Sequence, residues 1–135
     1  VQSDVSLKSV VGLISSSGYS NLPVYDNGDV VGVANGQKLI DLIGAQINKK
    51  LDINYYLENT KIGDVITSFK DDKYYTIVYS KLTIEQALNM FYTNRKLLAI
   101  LITKTGNFQE PALGMITVSD IMDLNAMLDN YGITQ

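Results

Sequence analysis

The sequence predicts an α+β fold built from two α/β-type repeats, each a small two- or three-stranded sheet packed by two helices, the two units related by a pseudo-twofold axis. Three observations predict it. A helix-period apolar pattern occurs twice, 77 positions apart. The apolar strand that follows each copy holds the same spacing, and each strand leads through a polar turn into a return strand and a further helix. A sheet of two or three strands cannot cover both its faces alone, so pairing two such units is the expected solution.

The elements follow in chain order. Ser6-Leu7 is succeeded by Val10, Val11 and Ile14, the i, i+3, i+4, i+7 spacing of one helix face, with Ser6 as N-cap and Gly18 as the terminating glycine. Thr83-Ile84 is succeeded by Ala87, Leu88 and Phe91 in the same way, and Thr83 with Gln86 forms a capping-box pattern. Leu22 to Tyr25 and Ala99 to Ile102 read as short buried strands. Turns follow at Asp26-Asn27-Gly28-Asp29 and Lys104-Thr105-Gly106-Asn107. Return strands at Val30 to Ala34 and Ala112 to Ile116 contain Gly32 and Gly114, 82 positions apart, so the second hairpin loop is five residues longer. Each return strand runs into a helix, Gln37 to Ile43 and Val118 to about Leu128.

Between the repeats the chain is polar, with Leu51, Ile53 and Leu57 as anchors of one short helix. Ile62, Val65 and Ile66 fit a single helical turn, and Tyr74 to Val78 a strand that opens the second repeat. The matching strand of the first repeat is expected at or before Val1. The organisation is therefore repeat 1 over residues 1–44 with its opening strand truncated, a linker over 45–61, repeat 2 over 62–130 and a tail over 131–135. The start at Val1 rather than Met leads us to expect a piece of a longer polypeptide.

Composition narrows the function. With 46% hydrophobic and 19% charged residues the chain is globular. It has no Cys and no His, which removes thiolate nucleophiles, Ser-His and Cys-His pairs and ordinary zinc sites. No arrangement of its carboxylates and lysines looks catalytic, so no enzyme, catalytic residue or metal site is assigned. Asp71-Asp72 beside Lys70 and Lys73 reads as a solvated turn. The net charge is −3 and Arg95 is the single arginine, so no basic cluster suits nucleic acid. The longest apolar run, Leu97 to Ile102, is far short of a membrane span, and nothing at the N-terminus reads as a signal peptide. A cytoplasmic location is expected, with no membrane insertion.

Two stretches then carry a resemblance. Gly18-Tyr19-Ser20-Asn21-Leu22-Pro23-Val24-Tyr25-Asp26 is similar to the Leu-Pro-Val-x-Asp passage of CBS domains. Gly114-Met115-Ile116-Thr117-Val118-Ser119-Asp120-Ile121-Met122 is similar to their Gly-x-x-Thr-x-x-Asp strand-to-helix passage, and Ile62-Gly63-Asp64-Val65-Ile66-Thr67 resembles the opening of a second repeat. The whole chain thus resembles a tandem CBS pair, or Bateman module.

The spacing of Thr117 and Asp120 places both at a helix N-terminus, where unpaired N–H groups and the dipole favour an anion and a carboxylate suits a ribose diol. Thr117 as a plain helix cap, with Asp120 complementing the dipole, is the competing reading. The resemblance implies a ligand site of Met115, Thr117, Ser119 and Asp120, joined by Tyr19 and Ser20 from the other repeat. Tyr19 would be either an aromatic wall for a base or a partly buried core tyrosine. In the first repeat Asn35 stands at the Thr position and Lys38 at the Asp position, and a lysine cannot accept from a diol. The second cleft, with Lys96 and Leu97 at its wall, is therefore not expected to hold adenosine. Repeat 2 also has Ile100 where the strand proline belongs. The tyrosine pairs Tyr55-Tyr56 and Tyr74-Tyr75 are expected to split between core and rim and receive no ligand role.

The resemblance implies a regulatory sensor of a larger protein. It would bind AMP, ADP, ATP or S-adenosylmethionine as a regulatory ligand, signal to an attached or partner effector domain, and form a homodimer. The alternative is a ligand-free dimerisation or docking module, pairing through apolar helix faces such as Ile121-Leu124-Leu128 and Leu7-Val10-Val11.

Overall fold

The computed structural model describes residues 1–72, 74–108 and 110–123. The chain forms two compact units. One comprises Val1–Asp72 together with Phe108–Pro111, the other Lys73–Asn107 and the chain from Ala112 onward.

The first unit contains α1 (Leu7–Ser17), β1 (Asn21–Asp26), β2 (Asp29–Asn35), α2 (Gly36–Asn48), α3 (Ile53–Asn59), α4 (Ile62–Ile66) and a 3-10 turn over Thr67–Asp72. The Ser6 side chain accepts from the Ser9 N–H and caps α1, while Gly18 closes it at φ 76°. Asn27 (φ 52°) and Gly28 (φ 88°) make the tight turn that pairs β1 and β2 antiparallel. Residues 1–3 add a parallel bridge to β1, with the Ser3 N–H donating to the Tyr25 carbonyl (2.7 Å) and the Tyr25 N–H to that of Val1 (2.8 Å). They take the place expected of the opening strand.

The second unit contains β3 (Tyr75–Tyr79), α5 (Ile84–Thr93), β4 (Ala99–Thr103), β5 (Gly114–Thr117) and a helical segment over residues 118–123. Its sheet has the order β3-β4-β5, parallel between β3 and β4 and antiparallel between β4 and β5. The parallel pair requires a crossover, and α5 supplies it. Both halves of the predicted capping box at Thr83 and Gln86 are made. Ala87, Leu97 and Ile100 form its buried cluster, flanked by Val78, Met90 and Ile116.

Several expectations are corrected. α2 continues five residues past Ile43 because Gly44 does not stop it; Ile47 extends the apolar pattern and the helix ends at Asn48. The expected linker therefore begins inside a helix. α4 groups with the first compact unit, where it packs on β2 and buries Ile62, Val65 and Ile66. β5 starts at Gly114 rather than Ala112. Leu7 and Val10, offered above as an exposed pairing face, are fully buried; burying each stabilises by about 1.5–3 kcal/mol, which favours the core over the surface. Asp71-Asp72 lies in the 3-10 turn rather than a loop. Leu124 and Leu128, and the end of the last helix, lie outside the described residues. Among the described residues no helix is long and apolar enough to cross a membrane.

Candidate functional site

β5 delivers Thr117 to the N-terminus of the helical segment 118–123, and the local sequence closes that end in a reciprocal way. The Thr117 N–H donates to Asp120 Oδ2 (2.8 Å), the Asp120 N–H donates to Thr117 Oγ1 (3.3 Å), and the Thr117 hydroxyl donates to Asp120 Oδ2 (3.1 Å). The Val118 N–H donates to the Leu98 carbonyl (3.1 Å). The expectation of several unpaired N–H groups at this end is thus corrected. The Ser119 N–H is the amide of this turn left without an internal acceptor among the described residues.

The cap does not exhaust the carboxylate. A carboxylate offers about four lone-pair positions. Oδ2 takes both internal bonds and Oδ1 takes neither. Asp120 and Ser119 are exposed, and Thr117 and Met115 are half-buried. The group can therefore hold its own helix end and still accept from an outside donor.

The sheet register sets what stands beside this turn. Thr117 pairs with Ala99, and Ala99 pairs with Tyr75, so Tyr75, Ala99 and Thr117 form one row across the sheet. The Leu98 N–H donates to the Tyr74 carbonyl (2.6 Å) in the same region. A cavity of about 300 Å³ lined by Tyr75, Thr76, Met90, Thr93, Asn94 and Leu97 opens in this unit. Burial raises the Tyr75 phenol above its ordinary value, and its ring meets Tyr74 edge-on at 5.0 Å. Tyr74 is buried and Tyr75 half-buried, the core-and-rim split expected of the pair. Tyr75 and Thr76 received no role from the sequence. What would have singled them out is the parallel register of β3 on β4, which local patterning does not reveal.

The remaining expected site residues, Tyr19 and Ser20, belong to the first unit and follow α1. Tyr19 is 70% exposed, so its reading as a core tyrosine is corrected and the exposed aromatic ring remains. The Ser20 carbonyl accepts from the Gly36 N–H at 2.9 Å. At the corresponding strand end of the first unit, Asn35 stands where repeat 2 has Thr117. Its Oδ1 accepts from the Lys38 N–H (3.1 Å) and its Nδ2 donates to Asn21 Oδ1 (2.8 Å). Side-chain amides fill that position with each other.

The arrangement matches known structures. Two structures of the CBS domain of the bacterial CNNM/CorC family Mg2+ transporter superpose with TM-scores of 0.60 at 18% and 20% identity, the latter in complex with ATP. Both cover 90% of this chain, which spans 64% and 74% of theirs. A CBS domain protein from Streptococcus pneumoniae superposes with a TM-score of 0.64 at 19% identity, over 94% of this chain and 78% of that one. This chain has the CBS-domain fold. CbpB in complex with c-di-AMP also superposes, with a TM-score of 0.64 at 16% identity, over 98% of this chain and 81% of that one. No family model and no curated protein matches the sequence. At these identities the likeness establishes the CBS fold of the chain and leaves its ligand to the chemistry of its own residues.

Proposed function

We propose that this CBS-fold chain is a non-catalytic regulatory module that binds an adenosine-containing ligand and passes the change to an effector domain. The observation that carries the proposal is the Thr117–Asp120 turn. It presents the unused Asp120 Oδ1 and the Ser119 N–H at the sheet end that also bears Tyr75. In this reading Asp120 accepts from the ribose hydroxyls, Ser119 and Thr117 face the phosphate, and Met115 contributes an apolar contact. Tyr19 and Ser20 are further candidate contacts that the resemblance implies, and the first repeat's own Asn35/Lys38 position carries no adenosine. The ATP and c-di-AMP complexes of proteins with this fold support the ligand class. AMP, ADP, ATP and S-adenosylmethionine are its candidates. A ligand that prefers one arrangement of the repeats shifts the population toward it, which is all that regulation requires. The proposal extends to a homodimer in the cytoplasm, partnered by an attached or separate effector.

Calorimetric titration of the protein with AMP, ADP, ATP, S-adenosylmethionine and c-di-AMP tests it. Saturable binding of one of them, weakened by Asp120→Ala, is expected; silence from all five at millimolar concentration overturns it. The second reading, a ligand-free dimerisation module, is favoured by one observation, the self-satisfied Asn21–Asn35 pair. A stable dimer indifferent to every nucleotide would establish it.

A further inference from the structure

The five extra residues of the second hairpin loop find no use in the adenosine reading. Phe108–Pro111 belong to the first compact unit, where the Val30 N–H donates to the Glu110 carbonyl at 3.1 Å. There Phe108 forms part of the lining of a cavity of about 660 Å³, within the range of small-molecule sites. Its other walls are residues 3–4, the start of β2 and α4.

Backbone hydrogen bonds join the segments that carry these walls. The Gly63 N–H donates to the Ser3 carbonyl (2.8 Å), the Ile62 N–H to that of Val5 (2.8 Å) and the Leu7 N–H to that of Thr60 (2.8 Å). Gly63 lies so close to Ser3 that a Cβ would fall 2.8 Å from its carbonyl oxygen. Val30 and Ile66 give an apolar floor and the half-exposed Phe108 an aromatic wall. Asp4, Asp26 and Asp64 also line the cavity, against the single cation Lys61. Among the described residues none of these three carboxylates takes part in a hydrogen bond or ion pair. Elsewhere in this unit Lys8 and Glu58 form an ion pair at 3.0 Å.

An apolar floor, an aromatic wall and a surplus of exposed carboxylates at an open cavity select a particular chemistry. An anion such as a nucleotide is repelled, and a bare metal ion has no use for the apolar floor. We propose that this cavity binds a small organic ammonium compound, its apolar or aromatic body on Val30, Ile66 and Phe108 and its ammonium group toward Asp26 and Asp64. Cation–π attraction at the ring adds to the selection. The proposal is independent of the adenosine reading.

The test uses 2-phenylethylamine as probe, with phenylacetate and 2-phenylethanol as anionic and neutral counterparts of the same body. Amide NMR of the labelled protein reads the response. The amine is expected to shift Val30, Val31, Gly63 and Ile66 saturably, with phenylethanol at least fivefold weaker and phenylacetate weaker still. Asp26→Asn with Asp64→Asn is expected to weaken the amine at least fivefold and to leave phenylethanol unchanged. Phe108→Ala is expected to weaken both, with the spectrum otherwise native. Equal binding of phenylacetate, an amine response unaffected by the Asp double substitution, or shifts scattered over all exposed carboxylates instead of these four amides would overturn it.

Discussion

The Asn35 side-chain amide donates to Asn21 Oδ1 over 2.8 Å, and both residues are buried. The same Asn35 caps α2 through its Oδ1. One side chain therefore ends a strand, starts a helix and ties the two strands together. Asn35→Ala removes a cap, at about 0.5–2 kcal/mol, and leaves Asn21 Oδ1 without its donor, at about 1–3 kcal/mol. Urea unfolding should show a loss well above that of a surface alanine substitution; a loss near zero would mean the pair is not formed.

Asp120→Ala separates capping from ligand binding. The helix-end loss is about 0.3–1 kcal/mol, while adenosine affinity is expected to fall by about 1–3 kcal/mol through loss of the ribose acceptor. Asp120→Asn keeps an acceptor for the Thr117 N–H and should restore most of the stability without restoring the affinity. Paired urea and calorimetric measurements check the two effects. Recovery of both together would show that Asp120 acts through the helix end alone.

Glycine substitutions should have opposite signs at two positions. At Gly63 a Cβ would lie 2.8 Å from the Ser3 carbonyl oxygen and 2.9 Å from its Cβ, so Gly63→Ala forces backbone apart and is expected to cost about 1–3 kcal/mol. Gly44, inside α2, has nothing within 4 Å, so Gly44→Ala is expected to stabilise by about 0.5–1 kcal/mol. Thermal unfolding of the two variants side by side measures this.

Burial raises the phenol of Tyr75, and of Tyr56, above the ordinary 10.0. The folded chain keeps these protons where the unfolded chain loses them. Their contribution to stability is whole below the unfolded value and disappears as pH climbs from there through the folded value. Stability should therefore fall in the alkaline range beyond 10.0, and Tyr75→Phe should flatten part of that fall. An unchanged alkaline slope in the variant would contradict the assignment.

Much of the fold was legible because it is locally encoded. Ser6 and Thr83 announce their helices through caps that the structure makes, and Asn27-Gly28 announces a turn that only positive φ allows. The helix predicted to end at Ile43 runs on to Asn48, since Gly44 meets nothing within 4 Å and Ile47 continues the apolar pattern. The allegiance of α4 was hidden, since Ile62 and Ile66 show that a face is buried and not what buries it. Of the candidate site, the Thr117–Asp120 spacing was visible and its dual use as cap and acceptor was not, because both uses require the same spacing. Tyr75 was invisible as a neighbour of Thr117. Only the register of two strands, far apart in sequence, brings it into that row.

β4 is hydrogen-bonded along both edges, by β3 and by β5, whereas β1 has a full partner in β2 and only the short parallel bridge at Gln2 on its other side. The amides of Ile100 and Leu101 should accordingly be among the slowest in the chain to exchange with deuterium, since exposing them requires the second unit to open as a whole. On β1, loss of the single bridge at Gln2 is enough to bare a strand edge. That makes this edge of β1 one of the places where a strand from another copy can add, and where resistance to amyloid-like pairing is tested.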